Sequence, residues 1–350
     1  METGLIGLPL SGKTTIFNSL TGKNASLSAF SGGKREKNIA EINVPDNRVN
    51  VMTSVFKPKK TIFATVTFED LQIEITPEGG ITPSSIADIR NLNAVVIIVR
   101  AFKNESVPHP FEKLDPGADL KKVLDSLIYS DYEMIEKRKE RLGREAKKAT
   151  REYQLLDKMS ETLLSGSLIG TGFLTEEDMK LFAGFSFITN KPVIVIINMG
   201  ESNADTKGLE ETAKNYNITV FPLRGDLEME ISQLPREDQK DFLLDMGLTE
   251  PAMDRFLQYI YKTLNLISFL TVGEDEVRAW SIPGGFNAQK AAGRIHTDLE
   301  KGFIRAEVVS FDDLAAAGSL QEAKKTGKLR LEGKDYTVKD GDIMNILFNV

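Results

Sequence analysis

Eight residues near the amino terminus, Gly7-Leu8-Pro9-Leu10-Ser11-Gly12-Lys13-Thr14, satisfy every position of the phosphate-binding loop G-x-x-x-x-G-K-[ST]. The motif works only between a strand and a helix, which restricts this part of the chain to an α/β layer. Both flanks agree. Leu5-Ile6 is a short apolar run, and Ile16, Phe17 and Leu20 follow at helical spacing. In such a loop, backbone N–H groups and the helix N-terminus surround phosphate oxygens, Lys13 reaches the β and γ phosphates, and the Thr14 hydroxyl binds Mg²⁺. A nucleoside triphosphate is therefore the first ligand to consider. Gly7, Leu8, Pro9, Leu10, Ser11, Gly12, Lys13, Thr14 and Thr15 are its candidate phosphate-binding residues.

At 350 residues the chain is long enough for two or three domains, each with its own core. Its 41% hydrophobic and 27% charged residues are those of a soluble globular protein. No apolar run approaches 18 residues and no basic-then-apolar leader is visible, so a cytoplasmic protein without a membrane span is expected. The absence of cysteine excludes a disulfide framework, thiol catalysis and a zinc-thiolate site. A net charge of −7 argues against a protein that coats nucleic acid over its whole surface, and leaves room for a local basic patch.

The runs 65–68, 94–99 and 193–197 are short, nearly continuous and mostly β-branched, as strands buried on both faces are. They extend the phosphate-binding loop into a mostly parallel α/β domain. From Leu120 to about Leu164 the pattern becomes helical and strongly charged. Ile128, Tyr132, Ile135, Leu142, Ala146, Ala149, Tyr153, Leu156 and Leu163 fall on a 4-3 spacing that reads as a coiled-coil seam. Between Lys137 and Arg151, eight Lys or Arg face two Glu. That excess reads either as an RNA or ribosome contact or as a solvated helix face. A helical stretch is expected from about Pro235 to Asn265. Beyond it, short alternating runs at 267–272, 278–282 and 306–309, broken by Gly, indicate a small α+β domain.

Three stretches then become specific: Glu276-Val277-Arg278-Ala279-Trp280, the run from Gly293 to Glu307, and the run from Gly333 to Asp342. Together they resemble the C-terminal TGS domain of the YchF (Obg-like ATPase) family, as the opening Gly7-Leu8-Pro9 resembles that family's phosphate loop. Weaker echoes lie at 44–48, 57–60 and 133–138, so the likeness spans the chain. The resemblance implies a P-loop G domain with an inserted antiparallel helical hairpin and a C-terminal β-grasp module. The corresponding limits are 1–119 and 183–266 for the G domain, 120–182 for the hairpin and 267–350 for the TGS domain. It also implies that the chain reverses near Lys147 to Thr150, which makes the heptad register through Ala149 partly accidental.

The family's base-recognition element reads N-x-x-E after a strand, and Asn198-Met199-Gly200-Glu201 fits it. Met199 cannot cover a base as the lysine of N-K-x-D does, and Glu201 is one methylene longer than Asp. The resemblance thus favours ATP over GTP, with Leu223-Arg224-Gly225 approaching the base from the other side. The switches depart from the family. Its D-x-A-G becomes Asp70-Leu71-Gln72-Ile73, which keeps a carboxylate for Mg²⁺ and catalysis beside Lys13 but loses the glycine that senses the γ-phosphate. In the first switch Lys34 stands where a threonine is expected, with Ser28 and Ser31 nearby. Losing both sensors should reduce turnover more than binding. Gln72 reads as a surface residue, His109 as a loop residue and His296 as structural. Two functions of different class follow: a slow ATPase whose nucleotide state gates ribosome or RNA binding, and a non-hydrolysing nucleotide-binding adaptor acting through the TGS domain.

Overall fold

The computed structural model describes residues 2–21, 38–76, 78–111 and 113–349. Among these the strands run in chain order as β1 (Glu2–Ile6), β2 (Asn38–Asn43), β3 (Lys60–Ile62), β4 (Thr65–Asp70), β5 (Ala94–Arg100), β6 (Val193–Met199) and β7 (Thr219–Arg224). They continue as β8 (Leu266–Val272), β9 (Glu276–Pro283), β10 (Phe303–Ser310), β11 (Arg330–Glu332) and β12 (Asp342–Phe348). The three apolar runs singled out above lie in β4, β5 and β6. Two compact units result, one of residues 1–41 and 67–253, the other of residues 42–66 and 254–350.

The first unit holds a sheet of order β2-β4-β1-β5-β6-β7, in which β4, β1, β5, β6 and β7 pair in parallel. Every residue of β5 is buried, which explains why its sequence is apolar without alternation. Ile86 and Ile89 from the helix Pro83–Arg90, Leu120, Val123, Leu124 and Leu127 from Pro116–Arg144, and Leu209 and Ala213 from Lys207–Asn215 pack against Val95, Ile97, Val99, Val195 and Ile197. Parallel pairing brings the carboxyl ends of β1, β4, β6 and β7 to one edge of the sheet, where ligands of open α/β folds bind.

The helix Pro116–Arg144 serves two packing surfaces. Its first part covers the sheet, and beyond Ile128 it pairs with the returning helix Arg151–Leu164. Ile128, Ile135 and Leu142 meet Leu156, Met159 and Leu163 in one apolar cluster with Phe182 and Phe187. The cross-helix contacts Arg138 to Glu152, Lys139 to Asp157 and Glu136 to Ser160 fix the pair as antiparallel. The 4-3 seam fails at Ala146 and Ala149, both exposed in the turn. Ala146 is left-handed at φ 56°, and Thr150 caps the second helix by accepting from the Tyr153 N–H. The register there was coincidental, because the chain reverses before the helix could use it.

The expected helix of 235–265 is two helices, Arg236–Asp245 and Ala252–Thr263, separated by a left-handed Gly247 (φ 69°) and Pro251.

The second unit holds a mixed sheet of order β11-β10-β12-β8-β9-β3. Its central pairs β8 with β9 and β10 with β12 are antiparallel, while β12 with β8 and β3 with β9 are parallel. Phe269, Ile282, Ala306, Val308 and Met344 close over Ala288 and Ala291 of the helix Ala288–Ile295. Residues 42–66, read from sequence with the nucleotide domain, form part of this unit. The helix Asn47–Phe56 buries Val49 and Met52, and β3 adds an edge strand beside β9. Arg48 bridges Asp46 and Asp340, each at 2.8 Å, and Asp340 accepts the Ser268 N–H at 2.8 Å.

Candidate nucleotide-binding site

The phosphate loop leaves β1 and enters the helix Lys13–Thr21. Leu10 (φ 64°) and Gly12 (φ 83°) both take the left-handed conformation. Gly12 is required twice over, since a Cβ there would lie 2.1 Å from the Asn198 Nδ2. Gly7 is required by contact alone: its Cβ would lie 2.4 Å from the Ile98 carbonyl oxygen. Because the helix begins at Lys13, its first N–H groups have no partner within the helix, the arrangement that binds phosphate.

Asp70 ends β4 in register with Leu5 of β1, which sets its carboxylate against the loop. One oxygen is ion-paired with the Lys13 ammonium, and the other accepts the Thr14 hydroxyl at 3.1 Å. Asp70 is 3% exposed. A buried carboxylate between an ammonium and a threonine hydroxyl supplies the hard oxygen donors that Mg²⁺ takes.

Asn198 is the penultimate residue of β6, and its side chain is a brace. Nδ2 donates to the Ser11 carbonyl at 3.0 Å, and Oδ1 accepts the Gly225 N–H at 3.2 Å. The phosphate loop is thereby tied to the end of β7; the loop expected at 223–225 is instead the last two residues of β7 running directly into the helix Gly225–Gln233. Met199 lies beside Arg224 in the β6/β7 register, and Leu223 beside Asn198. Glu201 is exposed just beyond the strand. The Arg224 Nε is buried without a protein partner, while a terminal nitrogen reaches Asp226 at 3.3 Å. The sequence-selected residues 7–15, 70, 198–201 and 223–225 thus gather at the carboxyl edge of the first sheet.

The segment after Asp70 is packed. Leu71 (5% exposed) and Ile73 (8% exposed) join the core of the first unit. The Leu71 N–H donates to Leu5 O, the Glu74 N–H to Ser85 Oγ, and the Thr82 N–H to Glu74 O. Ile73 is therefore a core residue of the first unit. Gln72 is exposed, as expected. The first-switch positions Ser28, Ser31 and Lys34 lie outside the described residues.

Sequence reasoning missed the environment of His109. It is buried with Asp119, its Nε2 2.8 Å from a carboxylate oxygen, and its Nδ1 accepts the Phe111 N–H at 3.3 Å. That acceptor role leaves the proton on Nε2, aimed at Asp119. Burial raises the Asp119 carboxyl above its ordinary range, and His109 opposes the shift. With Leu8, Pro9, Ser11 and Arg100 the pair lines a cavity of about 10 Å³ next to the phosphate loop. Arg100, 4% exposed, donates to the carbonyls of Phe102, Asn104 and Val107 and holds the loop that carries His109. A histidine between two prolines gives no sign of a carboxylate ten residues on. Among the described residues no cluster of His, Asp and Glu fit to hold a metal ion is present, and His296 accepts the Asp298 N–H as a helix cap.

The basic run of the helical pair is largely neutralised. Arg138 pairs with Glu152 at 2.7 Å, Lys139 with Asp157 at 2.8 Å, Lys147 with Glu145 at 2.8 Å and Arg151 with Asp178 at 2.6 Å. The excess counted over 137–151 omits carboxylates that the fold returns from outside that window. No helix among the described residues is long and apolar enough to cross a membrane.

Known proteins match the whole length of the chain. Residues 266–349 match the family model YchF-GTPase_C, described as a protein of unknown function (DUF933). The ribosome-binding ATPase YchF of Bacillus subtilis (strain 168) is 35% identical, with all of both chains covered. Its namesake from Escherichia coli O157:H7 is 36% identical over all of this chain and 99% of its own. The structure of the Schizosaccharomyces pombe YchF GTPase superposes with a TM-score of 0.87 at 27% identity, covering 99% of this chain and 97% of its own. Full-length likeness at this level, on a fold that gathers the phosphate loop, Asp70 and Asn198 at one edge, places the chain in the YchF family.

Proposed function

We propose that the chain binds ATP with Mg²⁺, hydrolyses it slowly, and uses its nucleotide state to govern association with ribosomes in the cytoplasm. The observation that carries this reading is Asp70, which touches both Lys13 and Thr14 while Asn198 ties the phosphate loop to Gly225, at the start of the helix that follows β7. Lys13 is positioned to move from Asp70 onto the β and γ phosphates when they arrive. Thr14 and Asp70 would hold Mg²⁺, which would supply positive charge against the phosphates. Asn198 is committed to bracing, so the base is left to Met199, Glu201 and the Leu223-Arg224 backbone, with the buried Arg224 Nε free to donate to a ligand.

ATP is favoured over GTP because Met199 and Glu201 replace the guanine-reading Lys and Asp. The relatives' names support both nucleotides, ATPase for the bacterial proteins and GTPase for the fission-yeast one. The ribosome as partner rests on the names of the bacterial relatives. Titration calorimetry of ATP and GTP, with and without Mg²⁺, tests the reading. Tighter ATP binding that Lys13→Ala abolishes supports it, and unchanged ATP affinity in that variant sinks it.

A second reading, a nucleotide-binding adaptor without turnover, is favoured by the burial of Leu71 and Ile73. A segment held in the core has less freedom to close on a γ-phosphate. Single-turnover phosphate release with ribosomes present separates the two. Release that Asp70→Ala removes supports the ATPase, and its complete absence supports the adaptor.

A further inference from the structure

The segments that meet a base, 198–201 and 223–225, carry a single positive side chain between them, Arg224. It is the last residue of β7, and parallel pairing sets it beside Met199 of β6. The two side chains therefore leave the same face of the sheet at its carboxyl edge. Met199 packs against the core of the first unit. Arg224 is held differently. Its backbone is fixed between the ladder to Met199 and the Gly225 N–H, which the Asn198 side chain accepts at 3.2 Å.

The guanidinium is only partly engaged. Its Nε–H is buried and has no partner among the described residues, while one terminal nitrogen meets Asp226 at 3.3 Å in an exposed pair. A buried donor without an acceptor is costly to keep, and an exposed ion pair at that distance yields readily to a better acceptor. A guanidinium donates and never accepts, and its Nε–H and the neighbouring terminal N–H form a fork with two parallel prongs. Between adenine and guanine, only guanine presents two adjacent acceptors, O6 and N7, to such a fork. Adenine sets the N6 amino donor next to N7 and satisfies one prong at most.

We propose that Arg224 is a base-reading residue that grips guanine through O6 and N7, so that a site otherwise disposed towards adenine admits GTP as a second ligand. The inference rests on the nucleotide-binding reading of this site and deepens it by naming the residue that sets the ratio of the two nucleotides. ATP is favoured by what Met199 and Glu201 lack, and GTP is admitted by what Arg224 adds. A guanidinium laid flat over the base would serve both purines equally, because each has a π-face.

The test is titration calorimetry of the full chain with GTP, ATP, 7-deaza-GTP and inorganic tripolyphosphate, each with Mg²⁺, on wild type, Arg224→Met and Arg224→Lys. Arg224→Met keeps the apolar stem and removes the fork. It is expected to lose at least about fivefold in GTP affinity and no more than about twofold in ATP affinity. Tripolyphosphate, which has no base, should bind all three proteins alike. Arg224→Lys keeps the charge without the fork and should recover little of the loss. Wild type should bind 7-deaza-GTP, whose N7 is replaced by C–H, about threefold or more weaker than GTP, and Arg224→Met should not tell the two apart. Equal losses for ATP and GTP overturn the proposal and identify a stacking cation. A loss for tripolyphosphate also overturns it, by showing that Arg224 acts on the phosphate loop, and so does GTP affinity unchanged in Arg224→Met. If wild type binds none of the four ligands, the nucleotide-site reading falls and the inference with it. If ATP and tripolyphosphate bind while GTP fails these comparisons, the inference falls alone.

Discussion

Asp70 and Thr14 meet at 3.1 Å while the same carboxylate holds the Lys13 ammonium, so one buried acid occupies both polar groups on which the phosphate loop depends. On the proposed function a triphosphate would compete with Asp70 for Lys13, and Mg²⁺ would offset that competition by giving the carboxylate a cation of its own. Asp70→Asn removes the competitor and the metal ligand together. Calorimetry should find that Mg²⁺-free ATP binds the variant about as tightly as, or a few-fold tighter than, wild type. The gain in affinity that Mg²⁺ confers on wild type should shrink at least tenfold. A variant with undiminished Mg²⁺ dependence would show that Asp70 is only structural.

Gly12 is under two constraints at once, a left-handed φ of 83° and the Asn198 amide 2.1 Å from any added Cβ. Gly12→Ala should cost about 1–2 kcal/mol in backbone strain and a further 1–3 kcal/mol in overpacking. The brace between Ser11 and Gly225 would be displaced as well. Thermal unfolding and ATP titration together check this, with a lowered Tm and binding reduced beyond detection as the expected result.

Leu10 shares the left-handed conformation at φ 64° but is 42% exposed. Leu10→Gly relieves strain of about 1 kcal/mol, partly offset by the greater freedom of the unfolded chain. Denaturant melts should find the variant equal to or slightly more stable than wild type, and a loss above ~1 kcal/mol would contradict the strain argument.

The legible parts of this protein are those in which chemistry and local backbone coincide. The phosphate loop, β5, β6 and the N-x-x-E element were visible because motif and apolar run fall within a few residues of each other. Three features were not. The His109–Asp119 pair joins residues whose types carry no signature at that separation. The neutralisation of the basic run depends on Glu152 and Asp157, which the antiparallel return brings alongside, and on Asp178 of the later helix Glu176–Leu181. Residues 42–66 join the second unit through Arg48 and Asp340, 292 positions apart, and through a three-residue edge strand too short to read. Long-range pairing is what a local pattern cannot encode.

At the base of the helical pair, Asp131 is fully buried and accepts from Arg90 at 2.6 Å, from the Thr189 N–H at 2.7 Å and from the Thr189 hydroxyl at 2.8 Å. Asp131→Ala strands a guanidinium and two donors, a change that costs ~3–5 kcal/mol for a buried pair. Hydrogen exchange should accelerate across 128–142 and 182–190 while β5 stays protected. Unchanged exchange would mean that the apolar cluster alone holds the pair in place.

Lys191 donates to the carbonyls of Ile89 and Arg90 at the end of the neighbouring helix, and burial lowers its pKa from 10.5 to about 8. Asp131 works against that shift and Arg90 adds to it. Between pH 8 and 10.5 the unfolded chain holds a proton on this amine that the folded chain has released, so folding stability gains with rising pH across that window. Below about pH 8 both states are protonated and the group's pH dependence vanishes. Other lysines and tyrosines titrate in the same range, so the measurable quantity is the difference between wild type and Lys191→Met. Urea midpoints taken at pH 7.5 and pH 10 should move in favour of wild type relative to the variant as pH rises. A difference that stays constant would mean that the amine remains protonated in the fold, held by the two carbonyls against the cost of its burial.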